Sequence, residues 1–334
     1  MRGKEQAKRD FDFFIDEYLY YCQSRRLRPK TLNSYEQTLR LFERWTKEQE
    51  GIASPLEVRE QTIRHYICDL QNRGKYSFYA KEERMCTNCP DRRRDFREPI
   101  SITTINNYIR NLRAFFNWFE EEYPGTKNPM KKIHLLENER KARDYMEDSE
   151  VRKLLDSFDK SYFPECRDAT VITLILDSGM RLGECLSLSI DDIDLNQRII
   201  QIPAEVTKGR KGRAVFFSMK SARALQRWIR FKDRYIETKY LFPTKATGLP
   251  VCIGTFETNF KNYMNRAGID KAISPHALRN NFAKRCLMAG MDVYTLSRIL
   301  GHSSVSVTEK AYLDLTDRDL AHRYQNFSPV QNLR

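Results

Sequence analysis

Arg181, Lys208, His276, Arg279, His302 and Tyr312 stand in the second half of this chain, in the contexts SGMRLGE, TKGRKGR, HALRNNF, LGHSS and KAYLDL. Their side-chain types suit the breaking of a phosphodiester without a metal ion or a nucleotide. Two guanidiniums can clamp phosphate oxygens. A lysine and a histidine can move protons, a second histidine can donate a hydrogen bond, and a phenol can attack phosphorus. The pentacoordinate transition state gathers negative charge on the equatorial oxygens, so fixed cations must already point there. Arginine fits because its planar fork donates two hydrogen bonds and stays charged. A phenol with a pKa of about 10 is only roughly 0.1% ionised at pH 7, so a base or strong local cations must assist it. The phosphotyrosine it forms keeps the bond energy, which allows rejoining without ATP. The departing 5′-oxygen needs a proton from a general acid.

Each residue needs an element to hold it. Arg181 follows DSGM at the start of a predicted helix, with Gly179 before it and Glu184 three residues after. Residues 198–218, RIIQIPAEVTKGRKGRAVFFS with its β-branched flanks, predict a β-hairpin or short meander around a Gly-rich basic turn. Lys208 sits in that turn, with Lys211 as a rival. His276 and Arg279 lie three apart on one helical face, where both can address one phosphate, and Pro275 suits the helix start. His302 precedes Tyr312 by ten residues. The chain holds 17 tyrosines, so position decides, and Tyr294 and Tyr324 are the competitors.

Upstream, Phe11, Phe14, Ile15, Tyr18, Leu19 and Cys22 predict one amphipathic helix. A break at Pro29 and Lys30 precedes a second through Leu32, Tyr35, Leu39, Phe42 and Trp45. TIRHYICDLQNRG predicts a third, closed by Gly74. TTINNYIRNLRAFFNWFEEEY predicts a fourth. Together they predict an all-α bundle over residues 1–140, with an inserted polar loop at about 76–99. The charge run and two prolines of 124–147 mark the linker region, narrowed to 141–147 between the two domains. EDSEVRKLLDSF then starts afresh with Asp148 or Ser149 as N-cap, and a second domain spans 148–334.

The chain has 334 residues, a net charge of +13 and a pI of about 9.3, with the basic residues dispersed rather than gathered in one tail. That length suits two domains, and the charge favours nucleic acid as partner. An apolar run of about 18 residues, as a membrane span requires, does not occur, and the N-terminus lacks a signal-peptide pattern; a cytoplasmic protein is expected. Most of the eight cysteines stand in apolar or helical contexts and read as reduced core residues. Cys86 and Cys89 form a CxxC, either half of a structural zinc site or two thiols on an exposed loop.

The order and contexts of the six residues resemble the tyrosine recombinase (phage integrase) family of site-specific DNA recombinases, most strongly over 148–320. The bundle resembles the family's SAM-like core-binding domain, mainly by helix pattern. The chain looks like a simple, Xer-like two-domain member without an arm-binding domain. The resemblance implies a mainly α fold, with a four-helix bundle beside an α+β catalytic domain carrying a small sheet. It assigns Arg181 and Arg279 to the scissile phosphate, His276 to proton transfer, Lys208 to the leaving oxygen, His302 to a phosphate oxygen, and Tyr312 to attack.

The resemblance further implies a clamp of the two domains around double-stranded DNA with inverted half-sites and a homotetramer holding two such sites. Strands would be exchanged through a 3′-phosphotyrosyl intermediate and a Holliday junction, with no cofactor, in a mobile-element or chromosomal setting that leaves room for accessory proteins. The tail 318–334, with Leu320, Tyr324 and Phe327 on one stripe, would reach a neighbouring protomer. The alternatives are a type IB topoisomerase, which returns the strand to its own partner, and a non-catalytic DNA-binding regulator on the same fold.

Overall fold

The computed structural model describes residues 10–78, 93–138, 145–207, 211–271 and 273–302, with scattered positions beyond. The chain divides into two compact units, Met1–Arg140 and Lys141–Arg334. Among the described residues, no helix is long and apolar enough to cross a membrane.

The first unit is built on α1 (Phe11–Ser24), α2 (Pro29–Trp45), α3 (Glu60–Asn72) and α4 (Ile102–Glu122). Asp10 caps α1 by accepting from the Phe13 amide, and Ser101 caps α4 by accepting from the Thr104 amide. Their inward faces make an aromatic core. Phe14 meets Phe119 edge-on at 5.1 Å, and Phe42 meets Tyr66 at 5.0 Å.

Two expectations fail here. Pro29 opens α2 instead of breaking the chain, because the first helical position loses nothing by lacking an N–H. Gly74 does not cap α3: its backbone pairs with Pro99, so the two ends of the 76–99 insertion are pinned together. The middle of that insertion, including Cys86 and Cys89, lies outside the described residues.

The region after α4 is packed more than a linker would be. Met130 and Ile133 are buried in the first core. Asn106 exchanges two hydrogen bonds with the Leu136 backbone, at 2.9 and 2.8 Å. Met146 belongs to the core of the second unit.

That second unit begins with α5 (Asp148–Asp156), whose N-cap is Glu147 rather than Asp148 or Ser149; its amide donates to Glu150. α6 (Phe163–Ser178) runs through the core with Val171, Ile172, Leu174 and Ile175 fully buried. The short α7 (Leu182–Leu186) follows. β1 (Ile193–Asp194), β2 (Ile199–Ile202) and β3 (Arg213–Phe216) form an antiparallel meander in sequence order, with Ile202 opposite Arg213.

α8 (Met219–Lys232), α9 (Ile253–Arg266), α10 (Pro275–Met288) and α11 (Val293–Leu300) complete the described elements. Two buried polar groups fix the layers. Asp168 accepts from Arg167 at 2.8 Å and from the Tyr263 hydroxyl on α9 at 2.9 Å. Trp228 on α8 donates to the Leu241 carbonyl at 2.8 Å. The fold is mainly α with one small sheet. Of the cysteines, Cys22 and Cys185 are buried, whereas Cys68 and Cys252 are exposed, against the expectation of core thiols. Both exposed sulfurs lie on polar helix faces or a helix start, which apolar context in the sequence does not reveal.

Candidate active site

The site forms where three chain turns meet, and two of them are helix C-termini. α6 ends on Gly179 at φ +66, a left-handed turn that leaves its last carbonyls without helical partners. A Cβ there would lie 2.3 Å from the Phe282 ring, so glycine also admits α10. α11 ends the same way. Gly301 takes φ +65, its amide bonds to the Arg298 carbonyl, and the His302 amide bonds to the Ser297 carbonyl. This six-to-one, five-to-two closure is a Schellman motif, and it fixes where His302 leaves the helix.

Arg279 lies between these two ends. Its Nη1 donates to the Gly179 carbonyl and its Nη2 to the Leu300 carbonyl, both at 2.7 Å. The negative ends of two helices thus hold one guanidinium, which is buried on α10 with 4% exposure. His276, one turn earlier, is exposed. Nη2 of Arg279 also lies 3.0 Å from His302 Nε2. Because arginine can only donate, Nε2 is the acceptor, and Nδ1 carries the hydrogen that goes to Thr308 Oγ1 at 2.7 Å. Burial and the positive charge of Arg279, Arg181, Arg213 and His276 push the His302 pKa down to about 4, so the ring is neutral at pH 7.

The third turn brings Arg181. It is the N-cap of α7, extended at φ −75 and ψ 147. Its amide donates to Glu184 Oε2 at 2.9 Å and its Nη1 to Glu184 Oε1 at 2.8 Å. Glu184, 2% exposed, also receives the fork of Arg213 at 3.0 and 2.7 Å. Burial alone would raise this carboxyl; the hydrogen bonds from Arg213 and Arg181 outweigh it and hold the pKa at about 2. Burial, then Arg181 and Arg213, lower Arg279 to about 9, still protonated at neutral pH.

Arg181 and Arg213 share one carboxylate while Arg279, held by two backbone carbonyls, adds a third positive charge, so the cluster carries excess positive charge in a partly buried place. Such a cluster is built to receive an anion. Arg181 keeps 29% of its side chain exposed, which leaves it accessible from solvent.

Of the six residues expected from sequence, Arg181, His276, Arg279 and His302 come together. Lys208 and Tyr312 lie outside the described residues, but their approaches are placed. Thr207, just before Lys208, is buried; its hydroxyl donates to the Ala204 carbonyl at 3.0 Å and accepts from the Lys211 amide at 3.0 Å. Thr308, bonded to His302, lies four residues before Tyr312. The rival tyrosines Tyr294 and Tyr324 are both exposed.

Sequence reasoning missed Arg213 and gave Glu184 no task of its own. A signal was present. Val215 is apolar and two residues beyond Arg213 on a predicted strand, so the two share a face. An inward arginine needs a carboxylate.

The sequence profile described as the phage integrase family matches residues 144–319, and that of the phage integrase N-terminal SAM-like domain matches 15–81. The chain is 26% identical over 327 residues to "Tyrosine recombinase XerD" of Staphylococcus haemolyticus, covering 94% of this chain and 98% of that protein. It is 30% identical over 217 residues to "Tyrosine recombinase" of Thermosipho africanus, covering 65% and 73% respectively. In fold it is similar to the Tn1549 transposon integrase in complex with transposon right end DNA, at a TM-score of 0.72 and 17% identity over 96% of this chain and 99% of that one. It is also similar to the XerH site-specific recombinase bound to a palindromic substrate, at a TM-score of 0.66 and 21% identity over 89% and 80%.

Proposed function

From the premise that this chain belongs to the phage integrase family, we propose that it is a tyrosine recombinase that cleaves and rejoins duplex DNA at specific sites through a 3′-phosphotyrosyl bond to Tyr312. The observation that carries the proposal is the arginine cluster, in which Arg181 and Arg213 share the Glu184 carboxylate and Arg279, held by backbone carbonyls, adds a third positive charge. A phosphodiester supplies the missing negative charge, and its transition state supplies more.

In this reading the phosphate settles between Arg181 and Arg279. The Tyr312 oxygen attacks phosphorus, and the bond to the deoxyribose 5′-oxygen breaks. Lys208 gives that oxygen its proton, and His276 assists the proton transfers. In the reverse direction a 5′-hydroxyl attacks the phosphotyrosine and the tyrosine leaves, so no outside energy source is consumed. His302 donates to a nonbridging oxygen once its hydrogen moves from Nδ1 to Nε2, the nitrogen that accepts from Arg279 in the resting site.

The XerH relative is described bound to a palindromic substrate, and a lambda integrase of similar fold as a tetramer bound to a Holliday junction. By analogy this chain acts as a tetramer on two sites with inverted half-sites, and the setting is a mobile element or a replicon. The test uses a duplex carrying the inverted repeats beside the gene, nicked near the cleavage position. The wild type should trap a covalent adduct, and Tyr312→Phe should bind without trapping any. A full yield from the Phe variant overturns the assignment. Strand transfer between two differently labelled duplexes separates a recombinase from a topoisomerase, which rejoins only its own strand.

A further inference from the structure

We infer that Arg213 is a positioning residue of this site: it satisfies Glu184 so that Arg181 remains available to a phosphate, and it ties the hairpin bearing Lys208 to the turn bearing His302. This rests on the reading of the cluster as a phosphodiester site. Arg213 opens β3, five residues after Lys208. Its side chain is 11% exposed and points with Val215 toward the core. Its Nε donates to the Ile299 carbonyl, in the last turn of α11, at 3.2 Å. Its fork takes both oxygens of Glu184, at 3.0 and 2.7 Å. One side chain therefore joins the hairpin, the α7 N-terminus and the α11 C-terminus, which carry Lys208, Arg181 and His302.

The hydrogen bonds explain why a second arginine is needed. Glu184 is 2% exposed and accepts four hydrogen bonds, two from Arg213 and two from Arg181. Without Arg213, the buried carboxylate would have Arg181 as its partner among these groups. A buried, half-paired charge is costly, and the remaining cation is drawn fully onto it. Arg181 would then turn its fork to Glu184 and away from a phosphate.

The packing leaves room for this strut and for little else. A Cβ on Gly301 would come within 2.6 Å of Arg213 Cδ. Glycine is thus the residue that lets the strut and the His302 turn occupy the same place.

The experiment is single-turnover formation of the covalent adduct on the nicked duplex, with site affinity at fixed salt and Tm measured in parallel. Arg213→Gln should form adduct about 10²-fold more slowly, the scale of one lost preorganised charge contact, while affinity stays within about twofold. The decisive variant is the double change Arg213→Gln with Glu184→Gln. Removing the orphaned carboxylate should free Arg181 and restore about tenfold of the lost rate over Arg213→Gln alone. A purely structural Arg213 would give a double variant no faster than Arg213→Gln, and that result overturns the inference.

Should Arg213→Gln fail to fold, Arg213→Lys keeps the charge but not the three-way fork. It should retain wild-type Tm and affinity and cleave about tenfold more slowly. Wild-type cleavage by the Lys variant also overturns the inference. If the wild-type protein itself forms no adduct, the reading of the site is what has failed, and the inference falls with it.

Discussion

His302 accepts a hydrogen bond from Arg279 at 3.0 Å and donates its Nδ1–H to the Thr308 hydroxyl at 2.7 Å. The ring that is to meet a phosphate is therefore held neutral, in a single tautomer, by the arginine that is to clamp the same phosphate. A phosphate oxygen arriving at Arg279 would compete with Nε2 for the guanidinium, so the site has a resting arrangement that its anion must replace.

The first prediction concerns pH. The His302 pKa is lowered from 6.5 to about 4 by burial and by its arginine neighbours. A base with a depressed folded-state pKa binds its proton more weakly when folded, so unfolding takes up a proton between those two values. The contribution is fully present above pH 6.5 and is lost as the pH falls to about 4. The ring is half-exposed, which reduces the effect to on the order of 1–2 kcal/mol. Glu184, held at about 2, has the same sign in a lower window. Denaturant unfolding from pH 7 to 4 should show a shallower loss for His302→Gln than for the wild type. Equal slopes would contradict the assignment.

Arg181→Ala and Arg279→Ala should act mainly on the transition state. Each removes one preorganised cation, a loss of roughly 10²–10³ in rate. Site affinity at fixed salt should change little for Arg181→Ala. Arg279→Ala should also lower stability, because the Gly179 and Leu300 carbonyls lose a buried donor. A large loss of affinity with unchanged single-turnover cleavage would place both residues among simple phosphate contacts.

The helix faces were legible in the sequence because a 3.6-residue period reports burial directly; Phe14, Tyr18, Phe42 and Phe116 all reach the bundle core. The positions of Arg181 and Arg279 were legible because glycine and proline punctuate the turns around them. Local pattern could not show that Arg279 is held by two carbonyls 100 and 21 residues away, or that Glu184 is shared with a strand 29 residues later. Those partners are set by tertiary packing, not by neighbours in the chain. Gly74 misled for the same reason. Its place after a helix suggested a cap, whereas its task is to meet Pro99.

Lys208 is expected to be the general acid. A substrate with sulfur at the 5′-bridging position has a leaving group that departs without a proton. It should restore cleavage by Lys208→Ala and leave Arg181→Ala slow. If Lys211→Ala shows the rescue and Lys208→Ala cleaves normally, the two lysines exchange roles.

Cleavage and strand transfer should persist in EDTA and without ATP, because arginines supply the charge and the phosphotyrosine conserves the bond. Loss in EDTA restored by magnesium would refute the mechanism. Loss restored only by zinc would give Cys86 and Cys89 a structural metal.

The last prediction separates backbone strain from contact. Gly290 and Gly301 both take positive φ, +95 and +65. A Cβ on Gly290 meets nothing within 4 Å, whereas one on Gly301 meets Arg213 Cδ at 2.6 Å. Alanine at either position bears the cost of a left-handed conformation, about 1 kcal/mol. Gly290→Ala should lose that much stability and cleave normally. Gly301→Ala should lose more, since it pushes Arg213 off Glu184 and shifts the turn that delivers His302, and its cleavage should fall at least tenfold. The comparison holds the backbone term nearly constant, so the difference in cleavage reports the contact with Arg213. Equal cleavage by the two variants would mean that the turn tolerates the displacement and that His302 is not placed by it.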